Sequence, residues 1–263
     1  MTDLSEYHIG TTSIISIREN KLHESDANLS IINKFWWANP HILEKLEKYL
    51  DTRKINNKIV DVGCGWAPFQ RSTHILDFSS RPFSDKILIQ LDLDFDTFQY
   101  DNNYFNFVYS RHTLEDIMNP LHAFQELIRI SPRGFIETPS PLIEISKGVD
   151  GSQINNIPYH GYRHHRYIIW SDFETNTLHF LPKYPIIEHI SIEQNDQKLM
   201  NYLANNYPIY WNNYYFWDEN HPPKAVLYRH GINMDMDKDY FSILQSAINR
   251  SMEYSDNIIS CIT

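Results

Sequence analysis

Helical spacing is clearest at Ile42, Leu43, Leu46, Tyr49 and Leu50, where apolar residues return every three or four positions. Asn39-Pro40 just before them offers a capping side chain and a residue suited to the first turn, so a helix is expected over 40–51. Four apolar or β-branched runs follow at 58–62, 73–78, 86–91 and 105–110, each closed by polar residues, Gly or Pro. Runs of that length are expected to be buried strands. Asn119-Pro120 repeats the helix-start signal, Leu121, Phe124, Leu127 and Ile128 form the stripe of a second helix ending near Ile130, and 134–138 reads as a fifth strand. Strands joined through helices or compact loops predict a parallel α/β sheet whose ligands sit beyond the carboxyl ends of the strands. The loops to inspect therefore follow Val62, Phe78, Leu91, Ser110 and Thr138.

Beyond residue 140 the pattern is less regular. Runs at 167–171 and 177–182 are spaced as a hairpin, 224–229 is a later strand, and Tyr240, Phe241, Leu244 and Ile248 mark one side of a final helix over 238–252. With no repeat and no linker composition, the chain reads as one domain over 1–263. Within it, 1–39 is an N-terminal extension, 40–141 a cofactor-binding core, 142–222 an acceptor-side insertion, and 223–263 a C-terminal strand and helix.

Composition narrows the function classes. Hydrophobic residues at 42% and charged residues at 21% are those of a folded globular protein, which excludes disordered and fibrous classes. The net charge of -10 repels polyphosphate and argues against a nucleic-acid partner. Cys64 and Cys261 are too few for a disulfide framework, and neither a signal-peptide core nor a membrane span is seen, so a cytoplasmic protein is expected. The segment 207–218 is unusually aromatic. Such residues most often fill a core or an oligomer interface, as in a homodimer, and otherwise serve as a stacking wall for a sugar or planar acceptor.

The sharpest motif is the strand-to-loop run Asp61-Val62-Gly63-Cys64-Gly65, where glycines let the chain turn and let a ligand approach the backbone. It resembles the first motif of class I S-adenosylmethionine-dependent methyltransferases of the methyltransferase type 11 kind. Phe105 to Pro120, then Ala123, Glu126, Leu127, Arg129 and 134–137, is similar to that family's fourth strand, following helix and fifth strand. The resemblance covers residues 40–140. It implies a Rossmann-like fold with a mostly parallel seven-stranded sheet, an insertion after the fifth strand, and S-adenosyl-L-methionine as cofactor. It also implies cofactor contacts from Asp61, Gly63, Cys64, Gly65, Asp77, Asp92, Leu93, Ser110 and Arg111, with Asp94 competing with Asp92. Three departures stand out: the segment 66–72 is too short for the usual helix after the first loop, Asp116 stands where many relatives have His, and Asn106 replaces a usual Asp.

Methyl transfer to a hydroxyl needs an aligned acceptor and a base. Among 13 His, the position of His112 makes it a candidate base, as do His164 and His165, with Glu144 in second rank. His160, Arg163, Arg166, Tyr214 and Trp217 are candidates to bind a small polar or carbohydrate acceptor. The histidine cluster also reads as a solvated turn entering a hairpin, or, with Glu144 or Asp150, as ligands of a divalent ion; the spacing from His160 to His165 matches no recognised zinc pattern, and no metal is assigned.

Overall fold

A computed structural model of the chain describes residues 38–79, 83–149, 157–189, 203–228 and 236–262, together with the two-residue strands His8–Ile9, Thr12–Ser13 and Gln153–Ile154. Most of the expected N-terminal extension lies outside the described residues. The apolar runs form β1 (Ile59–Val62), β2 (His74–Asp77), β3 (Ile87–Gln90), β4 (Phe107–Arg111) and β5 (Gly134–Pro139). Helix α1 (Pro40–Thr52) precedes them and α2 (Pro120–Ile130) connects β4 to β5. Asn39 caps α1 as expected, its side chain accepting from the His41 N–H at 3.0 Å. Asn119 makes no side-chain cap; instead its own N–H donates to Asp94 Oδ1 at 2.8 Å, tying the loop after β3 to α2.

The central sheet runs β3-β2-β1-β4-β5 in parallel, and Asn212–Trp217 (β8) closes it antiparallel to β5. This is a Rossmann-like, doubly wound order, and its direction reverses between β1 and β4. The sheet has six strands among the described residues rather than the expected seven. The outer main chain of β8 is met by side chains where another strand would otherwise ladder: Ser171 Oγ donates to Tyr214 O at 2.6 Å, and Tyr254 Oη accepts from the Phe216 N–H at 3.1 Å. Asn176 Nδ2 also donates to Phe216 O at 3.2 Å. β8 thus belongs to the core sheet and not, as expected, to the insertion.

The hairpin is present as β6 (Tyr167–Asp172) and β7 (Thr177–Pro182), and β9 (Lys224–Leu227) pairs parallel to β7 in a second sheet. The final helix α3 (Met236–Cys261) packs on β6 and β8 and outruns its expected end because Tyr254, Ile258 and Cys261 prolong the buried stripe. No helix among the described residues is long and apolar enough to cross a membrane.

Between β1 and β2 there is no helix, as the spacing of 66–72 led us to expect. Phe69 takes its place, buried and stacked on Tyr109 of β4 with ring centroids 4.5 Å apart. At the far side of the sheet, Trp217 lies directly opposite Gly134, and a Cβ built on that glycine would meet the indole at 2.2 Å. The ring is fully buried and its Nε1 donates to Ser131 O at 3.3 Å, which limits its retreat. Gly134→Ala is expected to lower stability by about 1–3 kcal/mol through overpacking. Urea unfolding reads this as a lower midpoint, whereas an unchanged midpoint would mean the indole can move aside.

Candidate functional site

The loops after β1 and β4 meet where the strand order reverses, the usual place for a ligand in an open α/β sheet. Gly63 has φ +72°, and a Cβ there would meet Thr113 Oγ1 at 2.2 Å. The close neighbour of this glycine is therefore a side chain of the β4 loop, whose hydroxyl lies 3.2 Å from Val62 O. Gly65 differs: its φ is +55° and nothing lies within 4 Å of a Cβ, so the backbone borders open space. Its N–H donates to Asp77 Oδ2 at 3.1 Å, while Asp77 Oδ1 accepts from the Ser79 N–H at 2.8 Å. Cys64 is half-buried between the two glycines.

Asp61 is buried at the base of this loop. One oxygen accepts from the Phe69 N–H at 2.6 Å and the other has no hydrogen-bond partner among the described residues. Burial pushes its carboxyl up to about 7, against the Phe69 hydrogen bond and the charges of Lys86 and Arg111, with Asp77 adding to the rise. Asp92 and Asp94 both serve the turn after β3, where the Asp94 N–H donates to Asp92 Oδ1 at 2.9 Å. Leu93 between them is buried in the main core. Ser110 is buried as well, its hydroxyl donating to Val62 O at 3.0 Å, which joins β4 to β1.

After β4 the chain passes through Arg111 and His112 beside two buried carboxylates. Arg111 Nε donates to Glu137 Oε1 at 3.0 Å, and Asn212 Nδ2 donates to the same oxygen at 2.6 Å. His112 adopts φ +50°, a conformation few non-glycine residues take outside turns and functional sites, and its N–H donates to Glu137 O at 2.8 Å. Its Nδ1 stands 3.3 Å from Glu115 Oε1. Neither oxygen of Glu115 has a hydrogen-bond partner among the described residues, although the side chain is buried.

A second cluster forms where the loop 159–166 folds back. Arg166 N–H and Tyr167 N–H both donate to Glu115 O, at 2.7 and 3.2 Å, which docks the start of β6 on the β4 loop. Glu144 is buried in the helical turn Pro141–Glu144. It accepts from His165 Nδ1 at 2.6 Å and from Lys183 Nζ at 2.7 Å. Burial alone would raise the Glu144 carboxyl, but Lys183 and His165 together hold it below the usual carboxylate range. Burial likewise opposes charge on His165, yet the hydrogen bond and charge of Glu144, with Glu115 and Asp116, raise it above its ordinary value. Gly161 makes room for the carboxylate: a Cβ there would meet Glu144 Oε2 at 2.5 Å.

Of the expected acceptor residues, the fold gathers His164, His165 and Glu144, and the backbone of Glu115 links them to the loop bearing His112. Arg166 is exposed, its Nε donating to Asp116 O at 2.9 Å, and Arg163 is exposed with its guanidinium 6.0 Å from the Tyr159 ring. Three expectations are corrected. His160 is buried and turned to Glu188, its Nδ1 3.1 Å from Oε2, so it is not a surface group open to an acceptor. Tyr214 and Trp217 are fully buried in β8 and offer no face for stacking, which supports the core alternative for the aromatic segment.

Several residues escaped the sequence reading. Trp66, Phe78 and Phe95, in the loops after β1, β2 and β3, are 81%, 73% and 71% exposed. Three exposed aromatics just beyond the carboxyl ends of three neighbouring strands are a signal that loop position alone could have supplied. Thr113 and Lys183, by contrast, meet their partners only through the tertiary fold.

No protein-family model and no curated protein matches this chain. Among solved structures it is similar to an S-adenosylmethionine-dependent methyltransferase from Mesorhizobium loti, at 19% identity over 48% of this chain and 65% of that one, with a TM-score of 0.34. It is also similar to a SAM-dependent methyltransferase from Aquifex aeolicus, at 15% identity over 43% of this chain and 75% of that one, with a TM-score of 0.28. A third is the YcgJ protein from Bacillus subtilis, at 12% identity over 37% of this chain and 51% of that one, with a TM-score of 0.29. The chain thus spans less than two thirds of the first and third of these proteins.

Proposed function

We propose that this chain is an S-adenosylmethionine-dependent methyltransferase that methylates an oxygen of a small polar acceptor. The observation that carries the reading is the open backbone at Gly65, bonded to Asp77 and flanked by the exposed rings of Trp66 and Phe78. S-adenosylmethionine supplies the methyl group, as a sulfonium, when bound. Around it, Gly65 leaves the main chain approachable, and the Asp77 carboxylate retains lone pairs for ribose hydroxyls. The aromatic rings of the β1–β3 loops are suited to covering a base.

His112 is the residue read to take the acceptor proton; its Nδ1 faces Glu115 Oε1 at 3.3 Å and its Nε2 is buried 3.9 Å from Glu137 Oε1, so this role requires the ring to turn toward the acceptor. A net charge of -10 favours a small acceptor over a nucleic acid. With Tyr214 and Trp217 in the core, the aromatic wall proposed for a sugar is not available there, so the acceptor is read as a small hydroxyl compound without a stacking requirement.

Calorimetric titration with S-adenosylhomocysteine tests the reading. Micromolar binding by the natural chain is expected to weaken about tenfold or more in Asp77→Ala and in Gly65→Asn, a residue that tolerates the left-handed backbone of φ +55°. Gly65 is the better probe than Gly63, where any side chain would strike Thr113 and disturb the fold. Absence of binding by the folded natural chain would overturn the proposal in favour of a non-catalytic binding or scaffold protein.

A further inference from the structure

Asp116, the residue that departs from the family pattern, meets the adjacent histidines of the distant 159–166 loop. His164 Nε2 and His165 Nε2 each lie 3.8 Å from the same oxygen, Asp116 Oδ1. That oxygen is buried and has no hydrogen-bond partner among the described residues. One donor atom from each of the three residues falls within 4.8 Å of the others. A distance of 3.8 Å is too long for a hydrogen bond. It is close to the separation, about 3.0–3.5 Å, of two donors that each sit about 2.0–2.2 Å from a shared ion.

We infer that Asp116, His164 and His165 form a binding site for a first-row divalent transition-metal ion such as Zn²⁺. The surroundings of His165 are those a metal-bound imidazole requires. An ionised carboxylate can only accept, so the 2.6 Å bond to Glu144 places a proton on His165 Nδ1 and aims Nε2 at Asp116. Lys183 holds Glu144 from the other side, and Gly161 packs against it, so the carboxylate that orients the ring is itself fixed. His164 is exposed, which leaves an entry path from solvent.

Two imidazoles and one carboxylate supply three protein ligands and leave coordination positions for water or an oxygen-donor ligand, as in catalytic rather than structural sites. The loop holding Asp116 also carries His112, so such a ligand lies at the acceptor rim. The inference does not rest on methyl transfer, and its test needs no cofactor.

The natural chain is titrated with Co²⁺, followed by its visible d–d absorption, and then with competing Zn²⁺. One Co²⁺ per chain is expected, displaced by Zn²⁺. Asp116→Asn with His164→Ala, at a half-buried and an exposed position outside the packed core, is expected to abolish the spectrum while circular dichroism stays unchanged. Glu144→Gln, in the positioning residue, is expected to weaken binding about 10–100-fold and shift the bands of the bound ion while circular dichroism stays native, whereas a merely structural role would lower stability and leave those bands unshifted. No stoichiometric spectrum from the natural chain would overturn the inference. So would an unchanged one in the Asp116/His164 double variant, because another of the 13 His would then be the ligand.

Discussion

Replacing Glu144 by alanine is expected to lower stability by about 3–5 kcal/mol, the usual loss when one partner of a buried ion pair is removed. The Lys183 ammonium is itself largely buried and would keep only the Tyr162 carbonyl, 2.8 Å away, with no counter-charge. His165 would lose the acceptor for its Nδ1 proton. The space above Gly161 would be left partly empty. Lys183→Met in the Glu144→Ala background is expected to restore part of the loss, because the stranded charge is gone. Denaturant unfolding of the four chains of this cycle measures the coupling. A loss below about 1 kcal/mol in Glu144→Ala would mean that Lys183 reaches solvent instead.

The second large effect is a pH dependence set by Asp61. Its carboxyl stands at 3.8 when unperturbed and about 7 in the folded chain. Below about 4 both states bind the proton, and the group makes no difference to stability. Between about 4 and 7 the unfolded chain releases the proton while the folded chain keeps it, so stability falls as pH rises. Above 7 the full loss of about 4 kcal/mol has accumulated, at 1.36 kcal/mol for each of roughly three units.

In the variant Asp61→Asn the side-chain carbonyl would still accept from the Phe69 N–H, but no titrating group remains. Any cost of the buried amide is independent of pH. The stability difference between Asp61→Asn and the natural chain is therefore expected to move in favour of the variant by about 4 kcal/mol from pH 4 to pH 8. A difference that stays flat across that range would show that the native carboxyl titrates near its ordinary value.

Much of the sheet was legible because β1, β4 and β5 carry short apolar cores, Ile59-Val60, Phe107 to Tyr109 and Phe135-Ile136, between breakers. Both proline-led helices were legible for the same local reason. β8 was not, because it opens on Asn212-Asn213, residues typical of turns, and the aromatic run Tyr214 to Trp217 that follows is as common in generic core as in a strand. The end of α3 was missed where Glu253 and Asp256 interrupt a stripe that Tyr254 and Ile258 continue.

Within the candidate site, Gly65, Asp77 and His112 follow from strand-to-loop position. The meeting of Asp116 with His164 and His165 does not. It depends on two N–H groups of 166–167 finding the carbonyl of Glu115, a contact some fifty residues apart that no periodicity records. Gly63 carries the same lesson: its motif suggests a ligand against the backbone, and the tertiary fold supplies Thr113.

The side-chain clasp on β8 has a consequence for biosynthesis. Until Tyr254 is in place, the outer main chain at Phe216 lacks the hydroxyl that meets it, and a nascent sheet with such an edge is a template for wrong pairing. The 38 residues from Phe216 to Tyr254 take about 2–8 s to synthesise at 5–20 residues per second. During that interval the nearly complete sheet is exposed to neighbours on the same polysome. Its protection arrives with α3, so the docking of that helix is the step that closes the sheet against wrong pairing.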